Sequence, residues 1–302
     1  MRICVTGLQG QVVQSLLARG AGLRHTVIPV GRPLLDLSKD DPVGVHRTLA
    51  QARPDVVVSA AAYTAVDQAE SDREAAFAVN VRGAGLVARA TAAMGVPLIH
   101  MSTDYVFSGT ASTPYRESDV PDPQSIYGAT KLAGEYAVLA ENSNTAVLRT
   151  AWVISPFGRN FVRTMLALAA TRDELSVVSD QVGNPTCAMD IADAVLAIAG
   201  NLVASNDAGL RGIFHLAGAG ETSWAGLAEA VFRRSSEIGG PVASVRHIRS
   251  DQYPTAARRP ANSRLNCTNL AASHRVRMPN WYQSLPKTVD ALVQERLKLS
   301  RC

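Results

Sequence analysis

The stretch RICVTGLQGQV, residues 2–12, joins a short apolar run to a glycine turn and the beginning of a helix. The apolar run predicts a strand over residues 2–7, and QVVQSLLARGAG predicts a helix over residues 11–22. Gly7 and Gly10 let the backbone turn tightly and approach a pyrophosphate, which then meets the helix N-terminus. Val13 stands at the third glycine position of this pattern, and we expect it to push the helix slightly outward.

The alternation of short β-branched runs and longer Ala/Leu-rich segments continues to residue 154. Further strands are predicted over 25–31, 55–62, 96–103 and 145–154, and further helices over 41–54, 71–95 and 125–142. Ser71, with Glu74 at the capping-box spacing, is the predicted N-cap of the long helix. Strands without polar alternation that are joined by helices form a parallel, doubly wound sheet, whose ligands bind beyond the carboxyl ends of its strands.

After residue 155 the strand and helix patterns no longer alternate regularly. Helices are predicted over 159–173, 187–203 and 223–239 and near the C-terminus, an extended segment over 174–180, and a strand over 212–218 that returns to the sheet. We therefore predict a nucleotide-binding domain of residues 1–154 with a returning segment of about 187–218. Residues 155–186 and 219–302 are predicted to form a smaller C-terminal α/β domain that binds the substrate.

Composition excludes several classes of protein. The 302 residues are 47% hydrophobic and 19% charged, which is normal for a globular chain with one large domain or two smaller ones. The net charge of +4 is scattered, and the short basic cluster at 256–264 lacks aromatic residues, so we expect an anionic small molecule rather than a nucleic acid. No apolar run approaches the ~18 residues of a membrane span.

The cysteines stand at positions 4, 187, 267 and 302, and none forms a C-x-x-C pair. Neither a zinc site nor a disulfide framework is therefore indicated. The N-terminal apolar run is too short for the core of a signal peptide. These features predict a cytoplasmic protein.

Two motifs at the predicted ligand edge suit carbonyl reduction. STDYVFSG (102–109) follows the fourth strand, where Ser102 or Thr103 offers a hydroxyl to a substrate oxygen. YGATK (127–131) places Tyr127 and Lys131 on one face of the next helix. The alkoxide that develops as hydride arrives needs a proton and a hydrogen-bond donor. We expect the Lys131 ammonium to lower the pKa of Tyr127, or to hold the nicotinamide ribose. Each residue taken singly also fits an ordinary surface position.

The second strand ends in Gly31 and Arg32 rather than in an acidic residue. An arginine there suits a 2′-phosphate, which favours NADPH, although NADH stays possible. Arg32 also fits a solvated surface residue. Asp36 either approaches the adenine or ribose or caps a turn.

The chain resembles the extended short-chain dehydrogenase/reductases and, more closely, the family of dTDP-4-dehydrorhamnose reductases. The resemblance covers nearly the whole chain and rests on TGLQGQV (6–12), RPDVVVSAAAYTAVDQAES (53–71), STDYVF (102–107), YGATKLAGE (127–135), LRTAWV (148–153), DQVGNPT (180–186) and YPTAARRPANSRL (253–265). It implies a Rossmann-like domain and an oxidoreductase that passes hydride from NADPH to the C4 keto group of dTDP-4-dehydro-L-rhamnose, giving dTDP-L-rhamnose for carbohydrate biosynthesis.

The resemblance also assigns roles to residues. It implies a catalytic set of Thr103, Tyr127 and Lys131, in which Tyr127 protonates the C4 oxygen, Thr103 hydrogen-bonds the same oxygen and Lys131 tunes Tyr127. The implied cofactor-binding residues are Gly7, Gly10, Gln11, Val12, Arg32, Asp36, Leu37, Ala62, Tyr63, Thr64, Met101, Tyr127 and Lys131. The implied substrate-binding residues are Thr103, Asp104, Trp152, Asn184, Arg258 and Arg259. For Trp152, Asp104 and Asn184 the alternatives are a core aromatic, a turn cap and a turn former, and the two arginines also fit solvated positions.

The chain departs from the family pattern at two positions that bear on metal binding and on the type of reaction. Met189 stands where some members have a glutamate that bridges a metal, and a thioether is a poor ligand for magnesium, so we predict no metal and a monomer or homodimer. Dehydratases and epimerases on this scaffold carry an Asp-Glu pair, whereas Asp104 is followed here by Tyr105. Another nucleotide-sugar 4-ketoreductase, epimerase or dehydratase, and a non-catalytic NADP-binding regulatory subunit, are the alternative functions.

Overall fold

The computed structural model describes residues 1–23 and 25–299 and has a parallel sheet at its centre. The strands of these residues are, in chain order, β1 (Arg2–Thr6), β2 (Thr26–Val30), β3 (Val56–Ser59), β4 (Leu98–Thr103), β5 (Thr145–Thr150), β6 (Val153–Ile154), β7 (Glu174–Val178), β8 (Val182–Gly183), β9 (Thr186–Cys187), β10 (Gly212–His215), β11 (Thr222–Ser223), β12 (Ser244–Ile248) and β13 (Asn262–Ser263). In this part of the chain the central sheet has six strands in the order β10-β5-β4-β3-β1-β2, and each neighbouring pair is parallel. The predicted doubly wound sheet is confirmed.

The helices of the same residues are α1 (Gln11–Gly22), α2 (Pro42–Gln51), α3 (Val66–Ala69), α4 (Arg73–Phe77), α5 (Ala84–Met94), α6 (Ile126–Glu141), α7 (Phe161–Ala169), α8 (Ala188–Ala204), α9 (Trp224–Glu237), α10 (Thr268–His274) and α11 (Trp281–Leu299). A π-helical segment, Ala78–Gly83, joins α4 to α5. Between residues 1 and 299, with Arg24 left out, we find no helix with the length and apolar character that a bilayer crossing requires.

Helices cover both faces of the sheet because its strands are apolar on both. On β1, Ile3 and Val5 belong to the core beneath α1 and α8, whereas Cys4 belongs to the core beneath α2 and α5. All three side chains are fully buried. Two-sided burial of this kind is what the sequence without polar alternation predicts.

A second core lies among α7, α9, α11 and β7, with Leu166, Val231 and Val289 at its centre. It supports the two-domain division that we propose for the chain. Two segments depart from the proposed boundaries. Ile154 packs in the second core, and Leu270 of α10 packs in the core of the central sheet. The C-terminal part of the chain therefore contributes to both.

The prediction of one long helix over residues 71–95 is wrong in detail. The chain forms α4, the π-helical segment and α5 in succession, and a short α3 precedes them. Asp72, not Ser71, is the residue before α4, and no side chain caps that helix. The Ser71 hydroxyl instead donates to the carbonyl of Gln68 in the preceding turn, and Glu74 pairs with Arg82.

The predicted strand over residues 145–154 is two strands. Trp152 lies between β5 and β6 with φ of 46°, in the left-handed region that L-residues seldom adopt. This backbone turn takes the chain out of the central sheet, and β6 then pairs with β9. Sequence periodicity carries no signal of such a turn at a tryptophan.

Candidate active site

The helix that carries YGATK begins at the carboxyl edge of the sheet. Ser125 is the N-cap of α6, and its hydroxyl accepts a hydrogen bond of 3.1 Å from the backbone N–H of Gly128. A Cβ at Gly128 would collide with the carbonyl of Tyr105, just after β4. The cap and the glycine thus fix the first turn of α6 directly against the end of β4.

Lys131 is buried, with 3% of its surface exposed. Its Nζ donates a 2.7 Å hydrogen bond to the backbone carbonyl of Met101 on β4. Burial lowers the pKa of Lys131 to about 8, and the charge of Glu135 opposes this effect. The amine is therefore anchored to the strand end, and the side chain of Met101 itself packs into the core.

Tyr127 is half-buried on the same face of α6, and its ring meets that of Tyr105 edge-on at 5.5 Å between centroids. Burial raises the pKa of Tyr127 well above its ordinary value of 10.0, although the nearby Thr103 hydroxyl lowers it. The expectation that the Lys131 ammonium would lower this pKa is therefore wrong for this structure. The physical reason is that desolvation dominates, while the ammonium is turned to the Met101 carbonyl.

Thr103 and Asp104 follow β4 and are both buried. The Thr103 hydroxyl donates to the Asp104 carboxylate at 3.0 Å, and it accepts from the backbone N–H of Tyr105 at 3.3 Å. Burial raises the pKa of Asp104 to about 6 in spite of the hydroxyls of Ser263 and Thr103. The structure thus brings Thr103, Asp104 and Tyr127 together at the end of β4.

The glycine turn lies at the carboxyl end of β1, where the strand order reverses. Gly7 has φ of +102°, a conformation that favours glycine, and its N–H donates to the carbonyl of Val30 at 2.7 Å. Gly10 precedes α1, which has neither a capping side chain nor an acidic residue in its first turn. The first N–H groups of a helix lack intrahelical partners, so this end of α1 can receive an anion.

Gln11 and Gly158 lie next to each other at this turn. The Oε1 of Gln11 is buried without a hydrogen-bond partner among the described residues. A Cβ on Gly158 would stand 3.5 Å from the Gln11 side chain, an ordinary van der Waals distance, so Gly158 is a close neighbour of this turn. Val12 lies in the same first turn of α1. Val13 is buried in the core, close to Gly7.

The residues predicted for the adenosine end follow β2. Arg32 is exposed, and Asp36 is half-buried and accepts hydrogen bonds from the N–H and hydroxyl of Ser38. These bonds lower the pKa of Asp36. Leu37 is buried in the core beneath α2. Asp36 therefore takes its alternative role and forms a turn. This turn follows β2, at the same edge of the sheet as the glycine turn. The space beyond the carboxyl ends of β1, β2 and β3 is here called the crevice.

The loop after β3 holds Ala62, Tyr63 and Thr64. The side chain of Asn80 fixes this loop: it accepts from the Tyr63 N–H at 2.8 Å and donates to the Tyr63 carbonyl at 3.1 Å. The same amide donates to the hydroxyl of Thr130 on α6 at 3.0 Å. The π-helical segment that presents Asn80 thus links the crevice loop to the helix of Tyr127.

A cavity of about 1310 Å³ extends from Tyr105 toward the second core. Its walls come from α7, β7, β12 and the loop before β13, and they include Thr64, Gln181, Trp224 and Arg259 among the described residues. Because the Tyr105 ring contacts Tyr127, Tyr127 lies next to the wall of this cavity. Its mixed polar and apolar lining suits a small-molecule ligand.

The predicted substrate residues have different positions. Trp152 stacks on Trp224 at 3.6 Å between ring centroids, so it supports a wall of the cavity. The amide of Asn184 is engaged with the backbone of Gly220 and Leu265, which places it in the loop scaffold. These two residues therefore do not line the cavity directly, and their contact with substrate stays a prediction.

Arg258 and Arg259 diverge. Arg259 is half-buried in the cavity wall, pairs with Asp67 at 2.5 Å and donates to the Tyr105 hydroxyl at 3.3 Å. Arg258 is exposed and donates to Gln124 at 3.3 Å outside the cavity. The structure therefore brings only Arg259 of the two toward Tyr127.

Sequence reasoning missed the buried ion pair of Glu135 and Arg149, the amide of Asn80 and the ring of Trp224. The position of Glu135 had a signal, since it stands four residues after Lys131 on the same helical face, but its pairing with Arg149 had none. Asn80 and Trp224 had no such signal, because only the fold brings them to the crevice and the cavity. Among the described residues no cluster of three or more His, Cys, Asp or Glu suits a metal ion.

Comparison with known proteins extends over nearly the whole chain. A family model described as the RmlD substrate binding domain matches residues 1–294. The chain is 50% identical over 295 residues to a protein of Sinorhizobium fredii named dTDP-4-dehydrorhamnose reductase, covering 98% of this chain and 99% of the relative. An Escherichia coli K12 protein of the same name is 38% identical over 303 residues, with 97% and 98% covered.

Solved structures give the same result. A dTDP-4-dehydrorhamnose reductase from Clostridium acetobutylicum has a TM-score of 0.88 at 35% identity, with 97% of this chain and 99% of that chain covered. One from Bacillus anthracis, in complex with NADP, has a TM-score of 0.87 at 33% identity, with 95% and 98% covered.

Proposed function

The chain belongs to the family of the RmlD substrate binding domain, and from that premise we propose that it is an NADPH-dependent dTDP-4-dehydrorhamnose reductase. In the proposed reaction the C4 keto group of dTDP-4-dehydro-L-rhamnose is reduced to the alcohol of dTDP-L-rhamnose. Hydride adds to C4, and one proton adds to its oxygen. The full-length similarity to proteins of that name supports the substrate assignment.

The observation that carries the proposal is the placement of three side chains at the edge of the sheet where the uncapped N-terminus of α1 also lies. Tyr127 and Lys131 share one face of α6, and Thr103 lies at the end of β4, to which Lys131 is bonded. The glycine turn of β1 lies at the same edge of the sheet. A proton donor, a hydroxyl and an anion site at one edge are the requirements of carbonyl reduction with a dinucleotide.

The residues of the crevice fit a dinucleotide phosphate. Gly7 and Gly10 let the backbone approach closely, and α1 is uncapped, so its first N–H groups are open to a phosphate. Bound NADPH supplies the hydride. We assign the pyrophosphate to the turn and the first residues of α1, and the rest of the cofactor to the neighbouring loops; the set is Gly7, Gly10, Gln11, Val12, Arg32, Asp36, Leu37, Ala62, Tyr63, Thr64, Met101, Tyr127 and Lys131.

Tyr127 is the proposed acid. Because burial raises its pKa, Tyr127 keeps its proton through the neutral range. An alkoxide is far more basic than a phenolate, so the proton still passes to the C4 oxygen as negative charge develops there. The Thr103 hydroxyl, now donating to Asp104, would turn to the same oxygen. Lys131 would hold the nicotinamide ribose.

The substrate is assigned to the cavity beside Tyr105. Arg259 is the best-placed partner for the diphosphate, since a guanidinium matches phosphate geometry and lies in the cavity wall. Asp104 and Thr103 are assigned to the sugar, and Trp152 keeps a weaker assignment because it stacks on Trp224 and does not line the cavity. Arg258 and Asn184 keep weaker assignments, because the first is exposed and the amide of the second is occupied.

We also propose a cytoplasmic location and a monomeric or homodimeric state. The free thiols of Cys4, Cys187 and Cys267 support a reducing compartment; Cys302 lies outside the described residues. Light scattering on the purified protein tests the oligomeric state. We propose no bridging metal, since Met189 packs against the second core. Unchanged turnover after treatment with a chelator would agree with this.

The test is turnover with product identification. The protein is mixed with NADPH and dTDP-4-dehydro-L-rhamnose, absorbance at 340 nm is followed, and the C4 configuration of the product is read by NMR. We expect stoichiometric NADPH oxidation and dTDP-L-rhamnose. Cofactor binding without turnover would support a regulatory subunit, and a product with the other C4 configuration would support a different 4-ketoreductase. Loss of water from the substrate would indicate a dehydratase, for which Tyr105 stands in place of the acidic residue.

A further inference from the structure

A buried ion pair lies directly behind the proposed catalytic residues. Glu135 of α6 and Arg149 of β5 have 0% and 1% of their side chains exposed. Nε of Arg149 lies 2.9 Å from one carboxylate oxygen of Glu135, and Nη2 lies 2.7 Å from the other. The bidentate pair joins the helix of Tyr127 and Lys131 to a central strand.

The same carboxylate also reaches β4. The hydroxyl of Ser102 donates to Glu135, and Ser102 lies opposite Arg149 in the register of β4 and β5. Ser102 separates Met101, whose carbonyl accepts from Lys131, from Thr103. The Glu135 carboxylate therefore connects α6 to β4 and β5. The connection lies next to the residues that hold the Lys131 amine and the Thr103 hydroxyl.

The pair is a poor device for stability alone. Removing two charges from water is costly, and apolar side chains of similar volume often replace a buried pair without loss of stability. Here the compensation is incomplete, because Nη1 of Arg149 has no hydrogen-bond partner among the described residues. The guanidinium packs instead over the ring of Phe107, at 5.0 Å from its centre. A bidentate, charge-assisted bond does fix distance and direction closely.

We propose that Glu135 and Arg149 are positioning residues, resting on the proposed function, that hold α6 against β4 and β5 so that Tyr127, Lys131 and Thr103 reach one substrate oxygen. Neither residue lines the cavity. The pair acts through Ser102 and through the helix. A displacement of about 1 Å at such a site costs on the order of 10²-fold in rate.

The test separates position from stability. The double variant Glu135→Met/Arg149→Met removes the pair and leaves an apolar contact of similar volume. We expect the single variants to unfold at lower urea concentration than the wild type and the double variant to recover most of the difference. The kcat of the double variant should nevertheless fall at least 30-fold, with KM for the nucleotide sugar and Kd for NADPH changed less than threefold.

Arg234→Met/Asp290→Met is the matched control. This bidentate pair joins α9 to α11 away from the crevice, and its loss should change kcat less than twofold. If the double variant at 135 and 149 recovers both stability and kcat, the pair is merely structural and the proposal is overturned. If the double variant at 135 and 149 does not fold, Ser102→Ala is tested instead. Its control is Ser235→Ala, since Ser235 is a similarly buried hydroxyl on α9. The first should lower kcat at least tenfold and the second less than twofold.

A second readout does not depend on turnover. Reductive methylation of the cofactor-free protein, followed by peptide mass spectrometry, reports how firmly the amine of Lys131 is held. We expect its labelling rate at pH 7.5 to rise at least fivefold in the double variant, relative to Lys287 as an internal reference. An unchanged rate would contradict the proposal. If the wild type does not turn over, the proposed function fails, while this labelling still decides whether the pair positions Lys131.

Discussion

Replacing Lys131 with methionine should stabilise the cofactor-free protein while abolishing its activity. The ammonium is 3% exposed, and burial lowers its pKa from 10.5 to about 8. At 1.36 kcal/mol for each pH unit, holding this charge costs the folded state about 3 kcal/mol at neutral pH. Methionine has a similar length and no charge, so the variant escapes that cost. It loses the hydrogen bond to the Met101 carbonyl, worth about 1 kcal/mol, which leaves a net gain of about 2 kcal/mol.

The gain should depend on pH in a defined direction. Below pH 8 both folded and unfolded wild-type chains carry the proton, so the cost is fully present. Between pH 8 and 10.5 the unfolded chain still holds the proton and the folded chain has released it, so the wild type becomes more stable as pH rises. The advantage of Lys131→Met should therefore shrink across this window.

Urea unfolding of wild type, Lys131→Met and Lys287→Met at pH 7 and pH 10, followed by tryptophan fluorescence, measures these differences. Lys287 is exposed, so its substitution should change the free energy of unfolding by less than 0.5 kcal/mol at either pH. The activity of Lys131→Met should fall at least 100-fold. A variant that is less stable than wild type at pH 7, with a difference that stays the same at pH 10, would refute the reasoning.

Three further results are expected. Trp224→Leu removes the stack on Trp152 in the cavity wall, and KM for the nucleotide sugar should rise about tenfold with a smaller change in kcat. Burial raises the pKa of Asp104 from 3.8 to about 6, so the wild type should lose up to about 3 kcal/mol relative to Asp104→Asn as pH rises through that interval, measured by urea unfolding at pH 4.5 and 7. Arg259→Ala should raise KM at least tenfold, whereas Arg258→Ala should change it less than threefold.

The part of the fold that sequence predicts well is the part with local signals. The helix over residues 11–22 and the strand before it follow directly from the apolar run and the glycine turn. The split of residues 145–154 depends instead on the left-handed backbone of Trp152, and the interruption of residues 71–95 depends on a π-helical segment that presents Asn80 to a distant loop. Both are set by tertiary contacts that periodicity does not contain.

The site shows the same division. The spacing of Tyr127 and Lys131 predicts that they share a helical face, and α6 confirms it. The sign of the pKa change at Tyr127 could not be predicted, because it depends on desolvation by the folded chain. The pairing of Glu135 with Arg149 likewise needs the packing of α6 on the sheet, since a charged residue on a helix is usually exposed. Arg258 and Arg259 are adjacent in sequence, and only the conformation of their loop places Arg259 in the cavity wall and Arg258 in solvent.

The most direct test compares the loss of the hydroxyl of Tyr127 with the loss of the hydroxyl of its neighbour Tyr105. Tyr127→Phe and Tyr105→Phe each remove a single hydroxyl from rings 5.5 Å apart, and the pre-steady-state rate of NADPH oxidation with saturating dTDP-4-dehydro-L-rhamnose measures the reduction step itself. If Tyr127 gives its proton to the C4 oxygen, its variant should react about 10³-fold more slowly with NADPH binding within threefold of wild type, and the Tyr105 variant less than tenfold more slowly. A Tyr127→Phe protein that keeps more than a tenth of the wild-type rate would contradict the account.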